Sequence, residues 1–104
     1  MSFKKSKKYG TYFGKLVNSD KVNEDFHYNY NWNKEDTEKI IKKFKECGVT
    51  EILFDIDDDE DHSDTMFFET NENTDFKKLI VYITNCRPDE FSEETDHHFR
   101  MWFD

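Results

Sequence analysis

Seven of the ten residues from Asp55 to Asp64 (Asp-Ile-Asp-Asp-Asp-Glu-Asp-His-Ser-Asp) are carboxylates. Like charges at this density cannot be buried together, so the run has to lie at the surface as a loop. It divides two stretches that both read as β-strands. Before it, Ile52, Phe54 and Ile56 alternate with Leu53 and Asp55; after it comes Thr65-Met-Phe-Phe-Glu-Thr70. A strand, an acidic loop and a second strand form the frame around which the rest of the chain must fold.

The 104 residues make one domain. Only 35% of them are apolar, but 18 are aromatic (11 Phe, 5 Tyr, 2 Trp), and large rings allow few residues to build a core. A chain of this charge without such rings would stay disordered. The net charge of −9 is uneven: residues 1–50 carry 11 basic and 7 acidic groups, residues 51–104 carry 4 and 17. An acidic second half disfavours duplex DNA and anionic membrane as ligands, since every phosphate contact needs Lys or Arg, and it favours a basic protein partner. No apolar stretch approaches the ~20 residues that span a bilayer. The start, Met-Ser-Phe-Lys-Lys-Ser-Lys-Lys, leads into Tyr9-Gly-Thr-Tyr-Phe-Gly rather than an apolar signal core, so a cytoplasmic protein is expected. Cys47 and Cys86 stand 39 residues apart with no C-x-x-C spacing and are expected as reduced thiols.

Along the chain, residues 1–8 read as a flexible basic tail and residues 9–104 as a single α+β domain. Tyr9 to Val17 is strand-like, with Gly10 and Gly14 suiting a twisted or bulged edge. Phe26, Tyr28, Tyr30 and Trp32 alternate with His27, Asn29 and Asn31, the pattern of a strand with one ring-bearing face. Asn33 caps a helix from Lys34 to Cys47, with Asp36 placed to complete a capping box, Ile40, Ile41, Phe44 and Cys47 in one stripe, and Gly48 as its stop. Residues 75–86 carry two signals: Phe76, Leu79, Ile80 and Ile83 have helical spacing, while Leu79-Ile-Val-Tyr-Ile-Thr84 is β-branched and aromatic. Propensity favours a central strand. Asp89 to Asp96 reads as an acidic loop or short helical turn, and His97 to Phe103 as a last strand. The expected architecture is one main helix on an antiparallel sheet of about five strands. With residues 75–86 helical, the alternative is ferredoxin-like βαββαβ order after an N-terminal strand.

No catalytic or cofactor-binding motif appears, so no catalytic residue, cofactor or metal is assigned and an enzyme is not expected. Calcium would need oxygens at loop positions 1, 3 and 5, Gly at 6 and Glu at 12. From Asp55 the last two are Glu60 and Met66, and from Asp57 they are His62 and Phe68, so neither frame fits. His27, His62, His97 and His98 lack metal-ligand spacing and read as surface groups. The candidate binding residues fall into two sets. One is the acidic ridge of Asp55, Asp57, Asp58, Asp59, Glu60, Asp61 and Asp64. The other is the sheet face away from the helix, where His27, Phe67, Arg100 and Trp102 combine aromatic, Arg and polar groups as interface centres do. Residues 9–17 folding over that face would instead turn it into core.

In size, charge and aromatic richness, though in no motif, the chain resembles both immunity proteins that neutralise nuclease toxins and phage-encoded anti-defence inhibitors, and the first is the preferred reading. The resemblance implies a small acidic inhibitor that binds and blocks a basic, nucleic-acid-acting protein. Two alternatives stand beside it: a phage-encoded anti-defence inhibitor of anti-CRISPR or DNA-mimic type, and a non-enzymatic interaction or dimerisation module that pairs along a sheet edge.

Overall fold

The Asn33 side chain accepts a hydrogen bond from the Asp36 amide (2.8 Å), and the Asp36 carboxylate accepts one from the Asn33 amide (3.1 Å). This capping box starts α1, Lys34–Glu46. At its other end the Gly48 amide reaches Lys45 O and the Val49 amide reaches Phe44 O, a Schellman closure that needs the left-handed backbone Gly48 adopts (φ 96°). Ile40 and Phe44 turn their buried faces to a sheet, and Thr37 ties the helix to the chain before it by accepting from the Tyr28 amide (2.8 Å).

The structure, a computed structural model, describes residues 4–104. Its elements run β1 (Lys4–Ser6), β2 (Gly10–Tyr12), β3 (Lys15–Asn18), β4 (His27–Tyr28), α1, β5 (Glu51–Ile56), β6 (His62–Ser63), β7 (Thr65–Glu69), α2 (Phe76–Cys86), β8 (Glu90–Thr95) and β9 (His98–Trp102). Five strands form the main sheet in the order β3-β5-β7-β9-β8, every neighbour antiparallel. Both helices pack on one face of it, making an α+β fold of two layers. Ile52, Phe54, Ile56, Met66, Phe68 and Met101 meet Ile40, Phe44, Leu79 and Ile83 there as the core. The alternative ordering β-α-β-β-α-β is present from β3 onward, but the sheet lacks the parallel central pair of a split βαβ arrangement.

Four stretches differ from the sequence expectation. Residues 76–86 are helical: Leu79 and Ile83 are buried while Ile80 and Val81 are about half exposed, a burial pattern with helical and not strand period. Asp75 caps the helix through the Lys78 amide. The propensity penalty of Ile, Val, Tyr and Thr is a few tenths of a kcal/mol each. Covering the apolar side of β7 and β9 outweighs it. Glu90–Thr95, expected as loop or turn, is the edge strand β8, held in register by β9. In the ring-rich segment only His27–Tyr28 is extended, because Asn29 takes a left-handed backbone (φ 70°) and turns the chain. Phe26 and Tyr28 are core, whereas Tyr30 is 71% exposed. Lys4–Ser6, placed by sequence in the tail, pairs with Gly10–Tyr12; residues 1–3 of that tail lie outside the described residues.

The hairpin β1–β2 lies on the sheet face away from the helices. Tyr9, 1% exposed, packs on Phe67 (ring centroids 5.4 Å) and on His98 (5.1 Å), and its hydroxyl donates to Glu51 (2.9 Å). Cys47 and Cys86 are free thiols. Among the described residues no helix is long and apolar enough to cross a membrane.

Candidate functional site

The loop from β5 to β6 carries the acids, and its two ends are anchored differently from its middle. At one end, Asp55 is only 9% exposed and accepts from the Phe13 and Gly14 amides (2.9 and 2.8 Å). It belongs to the fold rather than to the ridge. Gly14 has to be glycine here, since a Cβ would fall 1.9 Å from Ile56 O. At the other end, the Ser63 hydroxyl is buried and donates to Asp55 O (2.7 Å), and Asp64 accepts from the Thr65 hydroxyl (2.8 Å). Between them Asp57, Asp58, Asp59, Glu60 and Asp61 are exposed. Asp59 accepts from the Asp61 amide (2.9 Å), Asp61 from the Asn23 side chain (3.1 Å), and Glu60 faces Lys15 (3.5 Å). Exposed pairs of this kind contribute little to stability, so the ridge keeps most of its charge for solvent or a partner.

This loop forms one wall of a cleft of about 380 Å³. Asp57, Asp58, Asp59 and Asp64 lie on it, with Phe13, Tyr30, His62, Arg100 and Trp102 around the remainder. Two of the expected sheet-face residues, Arg100 and Trp102, thus meet the acidic ridge in one depression. Arg100 has its own counter-ion, Glu90 (2.8 Å), and its guanidinium lies 6.0 Å from the Trp102 ring centroid. Phe67 does not belong to this surface: it is fully buried beneath Tyr9, because the hairpin covers that end of the sheet. His27 is also elsewhere. It sits in β4, which pairs in parallel with β6 and not with the main sheet, and its ring lies 5.1 Å from that of His62.

The cleft residues that sequence reasoning missed are Phe13, Tyr30 and His62. Tyr30 stacks on the His62 imidazole (centroids 3.9 Å apart, planes at 30°). His62 is 8% exposed, and its Nε2 has no hydrogen-bond partner. Burial, together with the neighbouring His27, holds its pKa below the usual histidine value, so the ring is neutral near pH 7. One signal for the displaced Tyr30 is present in the chain: Asn29, Asn31 and Asn33 are turn-forming residues that tolerate left-handed backbone.

Charge and aromatic faces suit the cleft to binding a cation. Among the described residues no group of three or more His, Cys, Asp or Glu side chains is arranged to hold a metal ion. No protein-family model, no curated protein and no solved structure matches this chain.

Proposed function

We propose that this protein is a small acidic inhibitor that binds and blocks a basic, nucleic-acid-acting protein, acting as an immunity protein against a nuclease toxin. The observation that carries the reading is the continuity of the exposed acids Asp57 to Asp61 with a cleft walled by Tyr30, Phe13 and Trp102. Acids on a surface repel nucleic acid and draw in a basic protein over long range, and aromatic groups at the centre of the contact then set how long it lasts. A nuclease active-site cleft is lined with the Lys and Arg that hold phosphate, so an acidic plug competes directly with its substrate. Two free cysteines suit action in the reducing cytoplasm, where such a toxin would have to be stopped.

Pairing along a sheet edge is less favoured. The edge strand β8 carries Glu90, Glu93 and Glu94, and two such edges brought together would repel.

The test is capture from source-cell lysate on the immobilised protein at low salt, followed by assay of what is retained. The expected result is a basic protein that cleaves DNA or RNA and whose cleavage is abolished at one equivalent of this chain. Retention of proteins whose nucleic-acid cleavage continues undiminished at excess inhibitor would defeat the proposal.

A further inference from the structure

We infer that the cleft between the acidic loop and Tyr30 is a receptor for a single arginine side chain presented by the protein partner, an inference that rests on the inhibitor reading for the identity of that partner. Acids alone would not specify this, since carboxylates attract any cation. The distinguishing features are the imidazole and the rings. His62 stands in the wall of the cleft, more than nine-tenths buried, with a nitrogen that nothing in the protein satisfies. Buried polar groups are nearly always paired, so an unpaired one beside a cleft marks a wall that the protein's own bonds leave incomplete, although the atom itself is closed off from solvent. The depressed pKa of His62 keeps the ring neutral, so it does not repel an incoming cation.

The other groups fit the same occupant. Tyr30 lies flat over the imidazole and is held in the open, 71% exposed, where a planar cation can slide onto its face. Asp58 and Asp59 line the same cleft. A guanidinium presents five N–H donors in a rigid plane, enough to meet several carboxylate oxygens while its face rests on a ring. A lysine ammonium can lie over a ring, as Lys43 lies over Tyr82 (5.1 Å), but as a point charge it has no plane to stack and no fork of donors. A bare divalent ion would need three or more converging ligands, and among the described residues none converge. The molecule already contains one arginine in this manner: Arg100 spans Glu90 and the Trp102 ring at the cleft edge. Its charge is answered by Glu90, which leaves the carboxylates of the loop for an incoming group.

The probe is a blocked Gly-Arg-Gly peptide titrated into the ¹⁵N-labelled protein, with Gly-Lys-Gly and calcium chloride as comparisons. Saturable shifts are expected at the Tyr30, His62 and Asp58 amides and at the Trp102 indole, with a dissociation constant of about a millimolar and binding to the lysine peptide at least about threefold weaker. Tyr30→Ala and the pair Asp58→Asn with Asp59→Asn should each weaken arginine binding about tenfold. Glu72→Gln, an exposed acid away from the cleft, should leave it unchanged. Shifts scattered over every acidic segment, equal binding of the two peptides, or saturable calcium binding at these residues would overturn the inference. The parent reading is judged separately by nuclease inhibition. Arginine binding as described with no nuclease blocked supports the receptor while removing the inhibitor. A Tyr30→Ala, Asp58→Asn, Asp59→Asn protein that inhibits a nuclease at wild-type potency overturns the receptor while leaving the inhibitor in place.

Discussion

Asp55 holds Gly14 against the main sheet: its Oδ1 accepts from the Gly14 amide at 2.8 Å while Oδ2 takes the adjoining Phe13 amide at 2.9 Å. One carboxylate thereby fixes the point where the chain leaves the β1–β2 hairpin and enters β3. It also sets Phe13 at the edge of the acidic cleft. The first member of the acidic run is therefore a structural clamp, and the acids that follow are free to serve another purpose.

Replacing this carboxylate separates the two roles. Asp55→Ala leaves two part-buried amides without an acceptor and should cost about 2–3 kcal/mol. Asp58→Asn, in the exposed loop, should change stability by less than about 0.5 kcal/mol. Urea melts of the two variants measure both. Equal midpoints would show that Asp55 is as dispensable as its neighbours.

The helix α1 is attached to the sheet chiefly through Phe44, which is fully buried and meets Phe68 edge-on (5.2 Å). Phe44→Ala should cost about 3–5 kcal/mol, a large part of the stability of a domain this size. Thermal unfolding within a few degrees of the wild type would contradict the packing described.

Acidification should weaken the protein in two windows. His62 has its pKa lowered by burial and by His27, so the unfolded chain takes up a proton first as pH falls below about 6.5, and stability declines from there through the folded value. Glu69 is pushed up by burial but pulled down further by hydrogen bonds from Thr50 and His98 and by the charge of Lys8, with a net shift below 4.5. Its depressed pKa contributes stability that is complete above about 4.5 and lost as pH falls through the folded value. Melting temperature followed from pH 8 to pH 3 should fall first below 6.5 and again below 4.5, and Glu69→Gln should flatten the second step only.

Much of this fold was legible because its signals were local. Asn33, Asp36 and Gly48 delimit α1 by hydrogen-bond chemistry within a few residues, and Ile52, Phe54 and Ile56 show their strand by alternation alone. Residues 76–86 were not, since their preference is for strand and only the apolar face left open by β7 and β9 makes them helical. The cleft was half legible. Its charge is written in one run, and Arg100 and Trp102 follow from strand alternation. Tyr30 and His62 meet only because Asn29 turns the chain and β4 pairs with β6, a contact 35 residues apart in sequence. Phe67 was open to two readings, binding face or core beneath residues 9–17, and Tyr9 of that segment buries it, held by a hairpin whose first strand lies in a basic stretch with no strand signal.

The loop acids themselves supply the last prediction. Asp57, Asp58, Asp59 and Asp61 are exposed, and the contacts that Asp59 and Asp61 make are ones an asparagine side-chain oxygen can also accept. Changing all four to Asn should therefore leave the fold intact and raise stability slightly by relieving repulsion. Association with a basic nuclease partner should respond differently. Four charges lost from one patch should slow the on-rate at low salt about tenfold or more, because charge acts over distance, and should also speed dissociation, because Asp58 and Asp59 meet the partner's arginine in contact. At about 0.5 M salt the two proteins should associate at nearly the same rate, since screening then confines charge to a few ångströms. Stopped-flow association across a salt series measures this. Equal rates at low salt would mean that the ridge only keeps the protein in solution, and binding would then depend on Tyr30, Trp102 and the carboxylate of Asp64 that remains in the cleft.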